Sequence, residues 1–283
     1  LAHSWLGGRM QRLVRLALGT VQSQADISYA STALIAAFEH AGLRVQNYMA
    51  RACLSSDAAA LLTGQASRHL DTWLTEPETC RALFERGGRN SDVALVQGSL
   101  HSQKPHLPGG SLGTLCNWLD LPCVAVVDAR QLSDCQFPKM PSGVDALIVD
   151  GTNCCREQCK WQTCFESFWG VPVLGFLKDV PQLRAEVASL TAHGDISCEL
   201  KQSLAEQIIS PQLLARILAL ALTTHTTAPQ ANAPMSALLP QSGMRVATAF
   251  DEAFHCYFPD ALDQLEMLGA EIVDFSPLRD DRL

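Results

Sequence analysis

The 283-residue chain carries 21 Lys and Arg against 29 Asp and Glu, a net charge of −8 with the two signs interspersed, and this excludes the basic footprint of a nucleic-acid binder. A chain of this length is long enough for about two domains and for a core that needs no metal or disulfide staple. No run reaches the roughly 18 apolar residues of a membrane span, and 11 cysteines are too dilute for a disulfide framework, so the expected setting is a reducing cytoplasm.

In chain order, LAHSWLGGRMQR (1–12) has neither an initiator Met nor the layout of a secretory signal, and residues 1–9 are read as an extension within a longer precursor. Short apolar runs then alternate with helix-like segments: RLVRLALG (12–19), STALIAAFEHAG (31–42), LRVQNYM (43–49), DVALVQG (92–98), LGTLCNWLD (112–120), PCVAVVD (122–128), VDALIVDG (144–151) and VPVLGFL (171–177). Strands separated by helices of ten or more residues predict βαβ units around a parallel sheet with helices on both faces. LLARILALALTT (213–224) reads as a buried helix that closes a first domain over 10–222. The stretch 223–243, rich in Thr, Ala and Pro, reads as a linker. A second βαβ pattern follows at 244–283 in MRVATAF, FPDALDQLEMLG and AEIVDFS, too short to bury its own apolar side chains. It is expected to lean on more chain, a second copy or another subunit.

LALGTVQSQADIS (16–28) runs from an apolar stretch through a Gly-Thr turn toward a helix, as a phosphate-binding loop does, with an aspartate where such a loop places lysine. Further stretches, HAGLRVQ (40–46), TGQASRHLDTWL (63–74), CRALFERG (80–87), GGSLGTLCNWLDLPCVAVVDA (109–129), GVPVLGFL (170–177) and RVATAFDEAFHCYFPDALDQLEMLGAEIVDFSPLRDD (245–281), keep one order. In wording and order the chain resembles the cobyrinic acid a,c-diamide synthase family. That resemblance implies a P-loop NTPase-like α/β domain followed by the start of a class I glutaminase-like domain. The family's enzymes use ATP to activate tetrapyrrole carboxylates, with ammonia supplied by the glutaminase.

Carried over residue by residue, the family's motifs are altered. Its loop, G-T-x-S-G-x-G-K-T-T, falls on Gly19, Thr20, Val21, Gln22, Ser23, Gln24, Ala25, Asp26, Ile27 and Ser28. Two loop glycines are thus Ser23 and Ala25, and the lysine is Asp26. Two unit charges about 4 Å apart interact by roughly 1 kcal/mol in water and about 4 at an effective dielectric of 20, and reversing the sign doubles the loss. The family's metal-binding glutamate falls on Gln97, a neutral amide and a poor Mg²⁺ ligand. Its K-V-G-P-D-Y-I-D-P motif has become MARACLSSDA (49–58), with Met49 at the lysine, Cys53 near the first aspartate and Asp57 read as a helix cap. Its base-reading Asn falls on Asp150.

Two other groups invite chemistry. Cys154, Cys155, Cys159 and Cys164 cluster in NCCREQCKWQTCF (153–165), open to three readings: a metal site, a regulatory thiol pair, or helix packing. On a helix, Cys155 and Cys159 share one face while Trp161, Cys164, Phe165 and Phe168 form another, so four thiols do not converge. His101, Lys104 and His106 in SLHSQKPHLPGG (99–110) are candidates for an anion contact. The reading is a degenerate, non-catalytic relative of the synthases that serves as a structural, partner-binding or tetrapyrrole-binding subunit of a homo-oligomer or larger assembly. No cofactor is expected. The alternatives are an active amide ligase that binds ATP and Mg²⁺, and a thiol metal or redox module.

Overall fold

The computed structural model describes residues 13–23, 25–50, 58–100, 112–132, 137–190, 195–208, 211–223, 243–251, 253–254 and 257–281. Residues 1–9, Cys53, Asp57, His101, Lys104, His106 and most of the 223–243 linker lie outside them.

Strands β1 (Val14–Thr20), β2 (Val45–Ala50), β3 (Arg68–Leu70), β4 (Val93–Ser99), β5 (Cys123–Asp128), β6 (Ala146–Thr152) and β7 (Val173–Lys178) form one seven-stranded sheet, ordered β3-β2-β4-β1-β5-β6-β7. Every pairing in it is parallel. The pleat divides the core in two. Leu16, Leu18, Leu95, Val124 and Ile148 face α1 (Ile27–His40), α2 (Ala58–Thr63), α6 (Pro181–Ser189), α7 (Cys198–Ala205) and α8 (Pro211–Thr223). Ala17, Val96, Ala125, Val127 and Val149 face α3 (Pro77–Gly88), α4 (Leu112–Leu119) and α5 (Cys155–Trp169). Sequences this apolar on both sides of a strand are those that helices cover on both faces.

The chain leaves β1 toward β2 on one side and returns past it to β5 on the other. The carboxyl ends of the central strands at that reversal are where such sheets bind ligands. α8 corrects the expectation of a buried helix. Leu213, Ile217 and Ala221, spaced four apart, are buried, while the opposite face is open and Arg216 donates to the Leu174 carbonyl at 3.0 Å.

After α8 the described chain resumes in β8 (Arg245–Ala249), α9 (Pro259–Met267) and β9 (Glu271–Phe275), with β8 and β9 paired in parallel as a separate sheet. No residue of α9 is buried. Asp251 ties the carboxyl ends of these strands together, accepting from the backbone N–H of Ala253, Phe254 and Leu278 and from the Ser276 hydroxyl. Burial raises the Asp251 carboxyl, but these bonds outweigh it and hold it below the ordinary carboxylate range.

Candidate functional site

The loop after β1 is occupied by the chain's own groups. Asp26 is the N-cap of α1, and its Oδ1 accepts from the Ser28 N–H at 2.9 Å. A carboxylate there satisfies one of the orphan N–H groups of a helix start and complements the positive end of the helix dipole. Gln22, at the position of the family loop's serine, spans to β5: its Nε2 donates to the Asp128 carbonyl at 2.8 Å and its Oε1 accepts from the Asp128 N–H at 2.9 Å. The Thr20 carbonyl accepts from the Leu100 N–H at 2.9 Å. Gly19 has a packing reason to lack a Cβ, which would sit 2.6 Å from both Leu100 Cγ and Leu112 Cδ2. Ser23 is exposed, and the Ser28 carbonyl accepts from the Ser31 hydroxyl.

Gln97, near the end of β4, donates through Nε2 to Asn47 Oδ1 at 3.1 Å, and Asn47 donates to Ser67 Oγ at 2.6 Å. Its amide thus belongs to a polar thread running from β4 across β2. Met49, the counterpart of a family lysine, lies half-buried on β2.

Asp150, at the end of β6, is buried and faces Arg184 of α6, whose Nη2 lies 2.5 Å from its Oδ1. The Arg184 guanidinium also rests on the Tyr29 ring of α1, 3.9 Å from its centroid, and its Nε approaches Asp179 Oδ1 at 3.4 Å. Arg130 continues the chain of charges, 2.8 Å from Asp128 Oδ2 and 3.2 Å from Asp179 Oδ1. Gly151, at φ +79°, leaves room for the Arg130 stem, whose Cγ would lie 2.8 Å from an added Cβ. The series Asp128–Arg130–Asp179–Arg184–Asp150 therefore laces the carboxyl ends of β5, β6 and β7 together.

Their titration differs by environment. Burial pushes Asp150 up, and the hydrogen bond and charge of Arg184 only partly offset it. Burial also acts on Asp128, but the bonds from Arg130 and Gln131 outweigh it and hold that carboxyl low. Tyr29 is pushed up to about 12 by burial. It is the geometry, in which each of these charges has a fixed partner, that makes the series a structural ion-pair chain.

Of the sequence candidates, the structure brings Gly19, Thr20, Ser23, Asp26, Ser28, Gln97 and Asp150 to one end of the sheet. Gln22, Tyr29, Asp128, Arg130, Asp179 and Arg184 share that end and were not anticipated. The available signal was an aspartate closing both VAVVD and LIVD. Nothing in VPQLRAEV marks Arg184 as their partner.

The cysteine cluster lies elsewhere. Cys154 is the N-cap residue of α5, and Cys154, Cys155 and Cys159 are exposed while Cys164 is half-buried. This corrects the packing reading for three of the four thiols. Trp161 and Phe165 form the buried face, whereas Phe168 is exposed and stacks on Phe137 at 5.4 Å. Among the described residues no group of three or more His, Cys, Asp or Glu could hold a metal ion, and no helix is long and apolar enough to cross a membrane.

No protein-family model matches the chain. Curated proteins named cobyrinate a,c-diamide synthase do match it. That of Dehalococcoides mccartyi strain CBDB1 is 25% identical over 289 residues, covering 94% of this chain and 61% of its own length. That of Syntrophotalea carbinolica is 27% identical over 285 residues, covering 95% and 62%. The chain is a distant relative of these synthases. The synthase of Methanosarcina acetivorans is 26% identical over 315 residues, covering 100% of this chain and 63% of the relative. The chain thus spans about three fifths of the length of the synthases it matches. Solved structures with a similar layout include the MinC:MinD cell division protein complex of Aquifex aeolicus, with 12% identity, a TM-score of 0.46 and coverage of 76% of this chain and 98% of that one. A ParA family ATPase from Chlorobium tepidum gives 15% identity, a TM-score of 0.40 and coverage of 74% and 98%.

Proposed function

We propose that this chain is a non-catalytic relative of the cobyrinate a,c-diamide synthases, one that keeps their frame and serves as a structural, partner-binding or tetrapyrrole-binding subunit of a homo-oligomer or larger assembly. The observation that carries the reading is the Asp26 cap: the carboxylate accepts from the Ser28 N–H at the helix start, the place where a phosphate would be received. ATP with Mg²⁺ does not fit the residues present. Asp26 repels a polyanion, Gln97 offers a neutral amide engaged with Asn47, and Asp150 is committed to Arg184. Phosphate, metal and base positions have all changed chemistry, and groups that act as one unit lose activity together. No reaction step is assigned to this chain.

An assembly role draws support from the second unit, where Met244, Phe250, Phe254, Phe258, Met267 and Leu278 are exposed. Apolar side chains gathered on so small a unit suit a surface that another chain covers. The test is an assay of the full chain with Mg-ATP, a tetrapyrrole carboxylate and either glutamine or ammonia. The reading expects neither phosphate release nor amide formation above the protein-free control. Turnover with ammonia would establish the amide-ligase alternative.

A further inference from the structure

The edge strand β3 and helix α3 carry two arginines that the site described above does not use. Arg68 on β3 places Nη1 2.6 Å from Asp260 Oδ1 and Nη2 2.8 Å from Asp263 Oδ2. Arg86 on α3 places Nη2 2.6 Å from the same Asp260 oxygen and also donates to the Asp260 carbonyl at 3.3 Å. Both acids belong to the opening turns of α9, in the second unit. Three of these four side chains are largely shielded, with 16% of Arg68, 17% of Arg86 and 11% of Asp260 exposed.

The receiving surface is shaped for this contact. Gly87, near the end of α3, has no Cβ, and one placed there would collide with Arg68 Cδ, lie 2.7 Å from Arg68 Nε and lie 2.6 Å from the Tyr48 hydroxyl. A side chain at that position would lift Arg68 off the helix. Beside the ion pairs, the Phe258 ring meets the His69 ring edge-on at 5.3 Å. Apolar packing is thin, since α9 buries no residue and Phe258 remains exposed.

We propose that Arg68, Arg86 and Gly87 form an arginine socket for the acidic start of α9, and that this socket, rather than an apolar core, holds the 243–281 unit on the edge of the large sheet. Removing one acid from a shielded cluster leaves guanidinium charge without its counterion, which costs far more than losing a surface pair. Once released, the unit should open cooperatively, because it is too short to bury its own apolar side chains and because β8 and β9 depend on each other through their ladder and through Asp251.

The test is hydrogen exchange on the full chain, wild type against Asp260→Asn and Arg86→Met. Both variants are expected to speed exchange across 245–249 and 271–275 by about tenfold or more, with β1, β4 and β5 unchanged. Arg86→Met is decisive because it lies in the other unit and leaves the α9 start intact, so a local effect of Asp260 on its own helix would not reproduce it. Exchange in 245–275 within about twofold of wild type in Arg86→Met overturns the proposal. Should Asp260→Asn fail to fold, Asp263→Asn takes its place. It leaves Asp260 with both arginines and is expected to give a smaller acceleration in the same residues; no acceleration there also overturns the proposal.

Discussion

Asp26 decides what the start of α1 does. Its carboxylate caps the helix, so Asp26→Ala should lower stability by about 0.5–2 kcal/mol, as loss of a helix cap does, read from urea midpoints. Asp26→Lys should be at least as costly, since lysine brings a cation to the positive end of a helix. The pair Asp26→Lys with Gln97→Glu should still lack turnover toward ATP and a tetrapyrrole carboxylate, because the base position remains filled by Asp150 and Arg184; phosphate release by that variant would show that the remaining machinery survives. The two buried strand-end acids respond oppositely to pH. Asp128 is held low, so its contribution is present above the ordinary carboxylate value of about 4 and is lost as pH falls through its depressed pKa. Asp150 is pushed up, so its contribution is complete below that ordinary value and is lost as pH rises through its elevated pKa. Asp128→Asn should therefore flatten the acid limb of a stability profile, and Asp150→Asn should remove a decline on its rising-pH side. Urea midpoints across the acid range check both slopes.

At the scale of elements, helix α5 separates two explanations of the cysteine cluster. Three thiols at its start and along it face solvent, so changing Cys154, Cys155 and Cys159 together to Ser should cost no more than about 1.5 kcal/mol, about 0.5 for each exposed site, and the serine at the N-cap position of Cys154 should offset part of that. A structural metal held by them would make that substitution cost roughly 10 kcal/mol or more, and a chelator would reproduce the loss in the wild type. Thiol reagents should label these three quickly and Cys80, Cys116 and Cys123 slowly, as the latter are buried. The Cys123 thiol is also pushed up by its hydrogen bond with Cys116 and by burial. Except for β3, whose three residues Arg68–Leu70 form no apolar run, the strands of the large sheet were legible because apolar runs bounded by turns leave little choice of period. Helix α8 was less so. Leu, Ile and Ala dominate both of its faces in composition, and only Arg216 hinted that one side is open. For α5, four cysteines in thirteen residues drew attention as ligands, while the aromatic stripe of Trp161 and Phe165 was the part that packs.

Across the whole molecule, the candidate site was legible where it follows the order of motifs and illegible where it depends on contacts distant in sequence. Gly19, Asp26, Gln97 and Asp150 were found by position along the chain, and the structure gathers them at one end of the sheet. Arg184 lies 34 residues from Asp150 and Gln22 lies 106 from Asp128, and no local pattern joins such partners. The socket at Arg68 and Arg86 escaped notice for the same reason, with 192 and 174 residues between these arginines and Asp260. Motif positions can thus be read one at a time, but whether they are free to bind a ligand depends on what the rest of the chain has placed against them. The most direct test of the central claim is calorimetric titration of the full wild-type chain with Mg-ATP. The account predicts no saturable heat up to about 1 mM nucleotide, so that any binding is weaker than about −4 kcal/mol. A stoichiometric isotherm with a Kd near 1 μM, about −8 kcal/mol, would contradict it.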